Sequence, residues 1–407
     1  MATLIDMKEI GKPHENLYEY FNNYLAKQLI HLNYLPVNVS KSSFLVLTCS
    51  LSLFIYFGAI LKEFWLLFSD PSDDPIFYKL GAPTVSLGFI FHREISLILL
   101  LWLSGTLYCA LFIKYTQYSK KHQSWIQSFV YLSPKASVSS LDKLIRKSFL
   151  LQTRIVLVFS VAGIALFQMI TLSRCPTSLI AYCLFNYILN IFNAFLTAVY
   201  LGSTGCMFTF HCMMLGVTFN RLAKRVDKMI NYLAINKQTA KHINVYLHRV
   251  TKELRHLNGS KVFWEHLNST IFLSTYLAQS VLLYLLFFVS VPFLMKCSFF
   301  LMAIVNFLGG QSIHFIAGHI AKVQIEKCLF QLNRLMFRRI PGPSKIKIIQ
   351  VLEHTRGGKF NTIFSAVEYS LASLIMVTSE NAVLFMLLIV NYSRRSFNVT
   401  QLVEEIG

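Results

Sequence analysis

A chain of 407 residues that is 55% hydrophobic, 14% aromatic and only 14% charged cannot hide its apolar surface in one water-soluble core, so the composition describes a polytopic membrane protein in a lipid bilayer. The net charge of +19 does not point to nucleic acid, because the basic residues cluster between apolar runs. Soluble enzymes are excluded on the same grounds: no nucleophile, base and oxyanion donor can be grouped, and no Gly-rich phosphate loop follows a strand. No Cys/His cluster has metal-ligand spacing, since His211, His314 and His319 are dispersed along helices, so the chain is expected to use no metal and no cofactor.

Residues 1–42 carry no basic-then-apolar signal with a small-residue cleavage site, and are expected to remain as a cytoplasmic segment. Within them Tyr18, Phe21, Tyr24, Leu25 and Ile30 recur at near-helical spacing, which predicts a short amphipathic helix on the inner leaflet or against a partner. Seven apolar runs then reach membrane length, near 43–61, 95–113, 149–172, 179–203, 271–294, 299–321 and 365–392. Of the 38 Lys and Arg, 30 fall in 1–42, 114–147, 220–262 and 322–359, which are the cytosolic segments if the N-terminus is inside. The positive-inside bias therefore predicts a cytoplasmic N-terminus and, with seven spans, an extracellular C-terminus. The fold class expected is all-α with six transmembrane helices and cytosolic helical loops over 43–321. Cytosolic anchor helices over 322–363, a seventh helix over 364–392 and an extracellular tail over 393–407 complete it.

The first outer loop, 69–93, is acidic through Asp70, Asp73 and Asp74 and reads either as a solvated connection or as a vestibule. Tight outer turns surround Cys175-Pro176 and Pro292 to Cys297, so those two cysteines could pair in an oxidising compartment, whereas the eight cysteines as a set, most of them within spans, read as small membrane-helix residues and not as a disulfide framework. The fourth span carries Asn186, Asn190, Asn193 and Thr197 along one face, with Tyr182 and Tyr187 nearby. These amides could be interhelical glue worth about 1 kcal/mol each, or the polar lining of a ligand cavity. Asn186 and Asn190 fall roughly 10 to 17 Å below the outer surface at about 1.5 Å per residue. At similar depth are Trp102 and Tyr108 on the second span, Phe167 and Gln168 on the third, Tyr284 on the fifth and Asn306 on the sixth, which complete the candidate cavity.

The long inner segments keep helical periodicity. Leu222, Val226, Met229, Ile230 and Leu233 continue the fourth span, and Leu247, Val250, Leu254 and Leu257 precede the fifth. Val323, Cys328, Leu329, Leu332, Leu335 and Met336 follow the sixth, until Ile340-Pro-Gly-Pro stops the helix. A short helix over 345–353 comes next, and Gly357-Gly358 breaks the chain. Such apolar stripes imply a helical stem below the membrane, bundled within one chain or between copies. The last span is distinctive for an acid and amides in its length. Glu380, Asn381, Leu384, Leu387, Leu388 and Asn391 share a stripe, and an intramembrane carboxylate marks either a functional site or a hydrogen-bonded structural group.

The end of this span resembles the insect gustatory and odorant receptor superfamily, whose seventh span closes on Thr-Tyr, five apolar residues and Gln-Phe. Leu384-Phe385, the five residues 386–390 and Asn391-Tyr392 occupy that frame, and Phe364 resembles the aromatic that precedes the span. Two dipeptides differ from the family's, and fifteen residues follow the motif. Length, seven spans, an inner N-terminus and long inner helices extend the resemblance over the whole chain, which is most similar to a gustatory-receptor-like member. The resemblance implies no enzyme. It implies a plasma-membrane chemoreceptor, a ligand-gated nonselective cation channel for a small-molecule tastant or odorant, built as a homo- or hetero-tetramer with related receptor subunits. Permeant cations would pass along the seventh helix and the stem would hold the four chains together. A G-protein-coupled-type receptor is the first alternative, against which stand the inner N-terminus and the absence of Asp-Arg-Tyr after the third span. An ion-coupled transporter is the second, against which stands the absence of internal repeats.

Overall fold

The computed structural model describes residues 43–69, 75–82, 91–118, 140–233, 240–289, 291–355, 362–364 and 366–406. The expected N-terminal amphipathic helix, the acidic residues Asp70, Asp73 and Asp74, and Gly357-Gly358 lie outside these. The described residues form an all-α membrane fold with one minute hairpin. Helix α1 (Ser43–Phe68) is followed by a single turn, α2 (Pro75–Lys79), and by α3 (His92–Tyr118) and α4 (Ser140–Ser173). A 3-10 turn, Thr177–Leu179, leads into α5 (Ile180–Thr197), which passes through a π turn, Ala198–Gly202, into α6 (Ser203–Leu233). Then come α7 (Ala240–Phe288), α8 (Phe293–Gly310), α9 (Ser312–Met336) and α10 (Gly342–Thr355). Strands β1 (Thr362–Ile363) and β2 (Val367–Glu368) pair antiparallel before α11 (Leu371–Ile406).

Six segments among the described residues are long and apolar enough to cross a membrane, and Leu371–Leu384 at the start of α11 is a shorter apolar helix. The fourth of them runs 55 residues and the sixth 44. At about 1.5 Å per residue the longer reaches roughly 80 Å, whereas the hydrocarbon takes about 30 Å. The surplus must leave the bilayer, and it does so as the stem expected from the periodicity. Leu222, Val226, Ile230, Ile243, Val250, Leu254, Ile325, Leu332 and Ile348 are buried against one another, so α6, α7, α9 and α10 bundle within a single chain. Tyr246 Oη donates to the Leu222 carbonyl at 2.9 Å, and burial holds this phenol above its usual pKa range.

Helix α9 packs along α6, α8 along α4, and α3 between α1 and α7. Where α6 crosses the break between α8 and α9, the approach is very close. A Cβ on Gly205 would lie 1.9 Å from the Gly309 carbonyl and 2.8 Å from the His314 ring, so only glycine fits. Beneath this point Phe208, Trp264, Phe315 and Tyr369 form a buried aromatic cluster, with Tyr369 centred 5.0 Å from Phe208 and 4.9 Å from Phe315. This cluster fixes the chain just before α11.

Two expectations need correction. Cys175 is bonded to Cys183, and Cys297 is free and half-buried on α8. The 3-10 turn after Pro176 folds the chain back over the end of α4, so position 183 returns close to Cys175 before any distant cysteine is within reach. The last helix does not start at residue 364 or 365. The chain first makes the hairpin, with Phe364 in a left-handed turn at φ 50°, and the helix begins at Leu371. It then continues through residue 392 to Ile406, because no Gly or Pro interrupts it.

Candidate functional site

A cavity lies in the half of the helix bundle that the charge bias places outside. Its volume is about 80 Å³, and the clefts around it open to the exterior. Each wall follows from the local register of one helix. On α1 the residues Ser52, Tyr56, Ala59, Glu63 and Leu66 recur at three- and four-residue steps and are all buried, and of these Ala59 and Glu63 reach the cavity. The other faces of α1, with Phe54, Phe57, Leu61, Phe64 and Phe68, are exposed and suited to lipid. Ile95, Ile98 and Trp102 come from the outer turns of α3, and Ile164, Phe167 and Gln168 from α4. Asn190, Asn193 and Thr197 descend α5 to the π turn, whose Leu201 and Gly202 close the inner end. Thr275 and Leu282 of α7 and Phe299, Met302 and Asn306 of α8 complete it.

The lining is mainly aliphatic and aromatic, with a few polar groups fixed by specific bonds. Trp102 Nε1 donates to Asn306 Oδ1 at 3.1 Å, joining α3 to α8. Because indole only donates, this bond also orients the amide, leaving Asn306 Nδ2 without a partner among the described residues. Tyr56 Oη donates to the Asn193 carbonyl at 2.7 Å and bonds Thr197, which locks α1 to α5 directly under the cavity. Glu63 is 1% exposed; its Oε1 pairs with Lys62 Nζ at 2.9 Å, and its Oε2 has no partner among the described residues. Asn190 Nδ2 and Asn193 Oδ1 are buried and unpartnered in the same way. Such an arrangement suits reversible binding of a small, largely apolar molecule oriented by one or two hydrogen bonds.

Of the nine residues nominated from sequence, Trp102, Phe167, Gln168, Asn190 and Asn306 line this cavity. The other four are elsewhere. Tyr108 is partly exposed and stacked on Phe112, Tyr182 is exposed near the start of α5, and Tyr284 is buried in the core stacked on Phe288. Asn186 sits one turn above Asn190, and its Nδ2 donates to the Lys79 carbonyl at 3.0 Å and the Tyr182 carbonyl at 2.9 Å. It thereby clamps α2 over a narrow outer cleft that shares Gln168 with the cavity. Gly81, at φ 67°, lies so close that a Cβ would come within 2.3 Å of Asn186 Cγ. Glu63 and Asn193 were not nominated. A span-edge acid beside Lys62 was the available signal for Glu63, and Asn193 was read only as part of the amide face.

The polar stripe of the last span divides on α11. Asn381 is half-buried and accepts a 2.6 Å bond from Ser280 Oγ of α7, and Leu384 packs against the core. Glu380 and Leu387 are exposed on the single chain, together with Ile375, Met376, Val383, Met386 and Val390. Leu388 and Asn391 lie on the helix, but their side chains are outside the described set. A salt bridge at 2.7 Å between Lys322 of α9 and Glu368 of β2 holds the approach to this helix.

No family model matches the chain, and no curated protein matches it by sequence. Solved structures do. The insect olfactory receptor OR5 from Machilis hrabei is similar over 91% of this chain and 98% of its own, at 12% identity and a TM-score of 0.65. The same receptor in complex with eugenol is similar over 91% of this chain and 99% of its own, at 13% identity and a TM-score of 0.66. The chain has the fold of an insect olfactory receptor, so the resemblance to the insect chemosensory receptors holds at the level of the fold.

Proposed function

We propose that this protein is a gustatory-receptor-like chemoreceptor, a ligand-gated nonselective cation channel of the plasma membrane opened by a small apolar tastant or odorant in the cavity described above. Four copies, identical or related, surround a pore lined by α11. Glu380 raises the local cation concentration, and Leu387, Leu388 and Asn391 form the outer constriction, where hydrophobic rings gate by dewetting and an amide replaces part of an ion's hydration shell. The exposed apolar residues of α11, and Phe330, Phe337 and Ile346 on the stem, are the surfaces that neighbouring copies cover.

The observation that carries this reading is the position of α7. It contributes Thr275 and Leu282 to the cavity wall, and between them Ser280 grips Asn381 on α11. A ligand that fits one position of α7 better than another therefore biases α11 by its difference in affinity for the two. The π turn between α5 and α6, a distorted and readily shifted piece of helix, faces the same cavity from below. The experiment is current recording in cells expressing this chain alone and with related subunits, challenged with a chemically broad panel of small apolar molecules. Cation currents that reverse near zero and whose half-activating concentration moves with Asn190→Leu support the reading. Ligand responses that persist with no membrane current, carried by a second messenger, overturn it.

A further inference from the structure

A carboxylate is the least expected member of an apolar cavity. Glu63 is 1% exposed and takes its place on the buried stripe of α1, so it is built into the bundle and not drawn up to the membrane surface. Lys62 reaches only Oε1, at 2.9 Å, and Oε2 is buried with no partner among the described residues. The second unspent acceptor in the lining is Asn193 Oδ1. A buried, unsatisfied carboxylate oxygen is costly, and a partner that donates a hydrogen bond to it recovers that cost. Apolar contacts cannot.

We infer that Glu63 is the specificity-determining residue of the cavity, and that the ligand class it selects is a small apolar molecule carrying one O–H or N–H donor. This rests on the reading of the cavity as the ligand site and adds to it the chemistry of the head group. The donor lodges against Oε2, while the apolar remainder lies among Ile98, Ile164, Phe167 and Met302. A ligand of the same shape that only accepts hydrogen bonds can still meet Asn190 Nδ2 or Asn306 Nδ2 but leaves Oε2 unpaired, so it binds more weakly than one that also donates, which is how a site with an unspent polar group discriminates. Because Lys62 already balances the charge, a neutral hydroxyl suffices, and a protonated amine is the second source of the same donor chemistry.

The test uses purified full-length protein in detergent and three probes of equal length and heavy-atom count: octan-1-ol, octylamine and heptyl methyl ether. Binding is read from ligand-dependent thermal stabilisation. The wild type is expected to be half-saturated by the alcohol or the amine at concentrations at least about tenfold below the ether, a difference of about 1.4 kcal/mol. Amine above alcohol identifies a cationic head group, and alcohol at or above amine a neutral one. Glu63→Leu should bring the three probes within about twofold of one another. Glu63→Gln, whose amide oxygen stays with Lys62 while its NH2 replaces Oε2, guards against misfolding of the leucine variant and should likewise lose the preference for the alcohol over the ether. An ether that binds the wild type as tightly as the alcohol, or a preference that survives Glu63→Leu, overturns the inference and leaves the cavity as a ligand site. Failure of all three probes to stabilise the wild type overturns both.

Discussion

Asn186 and Asn190 are one helical turn apart on α5 and look equivalent in sequence, yet replacing each with leucine should do different things. Asn186→Leu, close to isosteric, removes both donors from Nδ2 and leaves the Lys79 carbonyl without its 3.0 Å bond. A hydrogen bond between elements is worth about 0.5 to 1.5 kcal/mol net, and the close packing of the Asn186 side chain on Gly81 adds to what its replacement costs. A loss of 1 to 2 kcal/mol multiplies the open population of α2 by roughly 5 to 30. The amides of Leu80, Gly81 and Ala82, each bonded back into that turn at 2.9 to 3.0 Å, report it directly. Their hydrogen exchange should speed up by that factor in Asn186→Leu. In Asn190→Leu, where Nδ2 has no partner among the described residues, exchange at these amides should be unchanged and the ligand concentration for half-activation should shift instead. Equal acceleration in both variants, or none in Asn186→Leu, would refute the assignment of one amide to the clamp and the other to the cavity.

Gly205→Val places a side chain against the Gly309 backbone and the His314 ring and should destabilise the chain by about 1 to 3 kcal/mol or more, read as lower thermal stability and surface expression. Gly58→Ala, which meets nothing within 4 Å, is the control and should cost little. Glu368→Gln removes the charge that Lys322 meets at 2.7 Å; for a pair about a quarter exposed the loss should be about 1 kcal/mol. It should appear as severalfold faster exchange of the Ala366 amide, which bonds the Ile363 carbonyl across the hairpin turn.

The spans and the stem could be read from the sequence because lipid and close helix packing both impose long periodic apolar runs, and α6, α7 and α9 follow them well past the bilayer. Part of the cavity's polar lining was legible for a related reason. Amides at helical spacing on α5, an indole on α3 and an amide on α8 stand out in apolar runs whatever they bond to. What was not legible is which turn of a helix meets which neighbour. Asn186 and Asn190 share a face, but the return of α2 over the outer turn uses one of them and not the other. Glu63 does not stand out in the sequence, because periodicity does not distinguish a charged residue at the end of a span from one in the loop beyond it. The hairpin before α11 leaves no pattern, since two-residue strands carry no period. The Cys175–Cys183 pairing depended on the backward fold of a 3-10 turn.

The central claim, that α11 lines a conduction path, is tested most directly by modifying single cysteines along it with a charged thiol reagent applied from outside during activation. At about 100° per residue Glu380 and Leu387 lie within roughly 20° of each other, while Ile375 and Met386, just as exposed on the single chain, lie more than about 100° away. The account predicts that Glu380→Cys and Leu387→Cys react many times faster with ligand present than absent and that their modification alters the current. Ile375→Cys and Met386→Cys should be slow and indifferent to ligand. Equal rates at all four positions, or modification at Glu380→Cys without any effect on current, would contradict it.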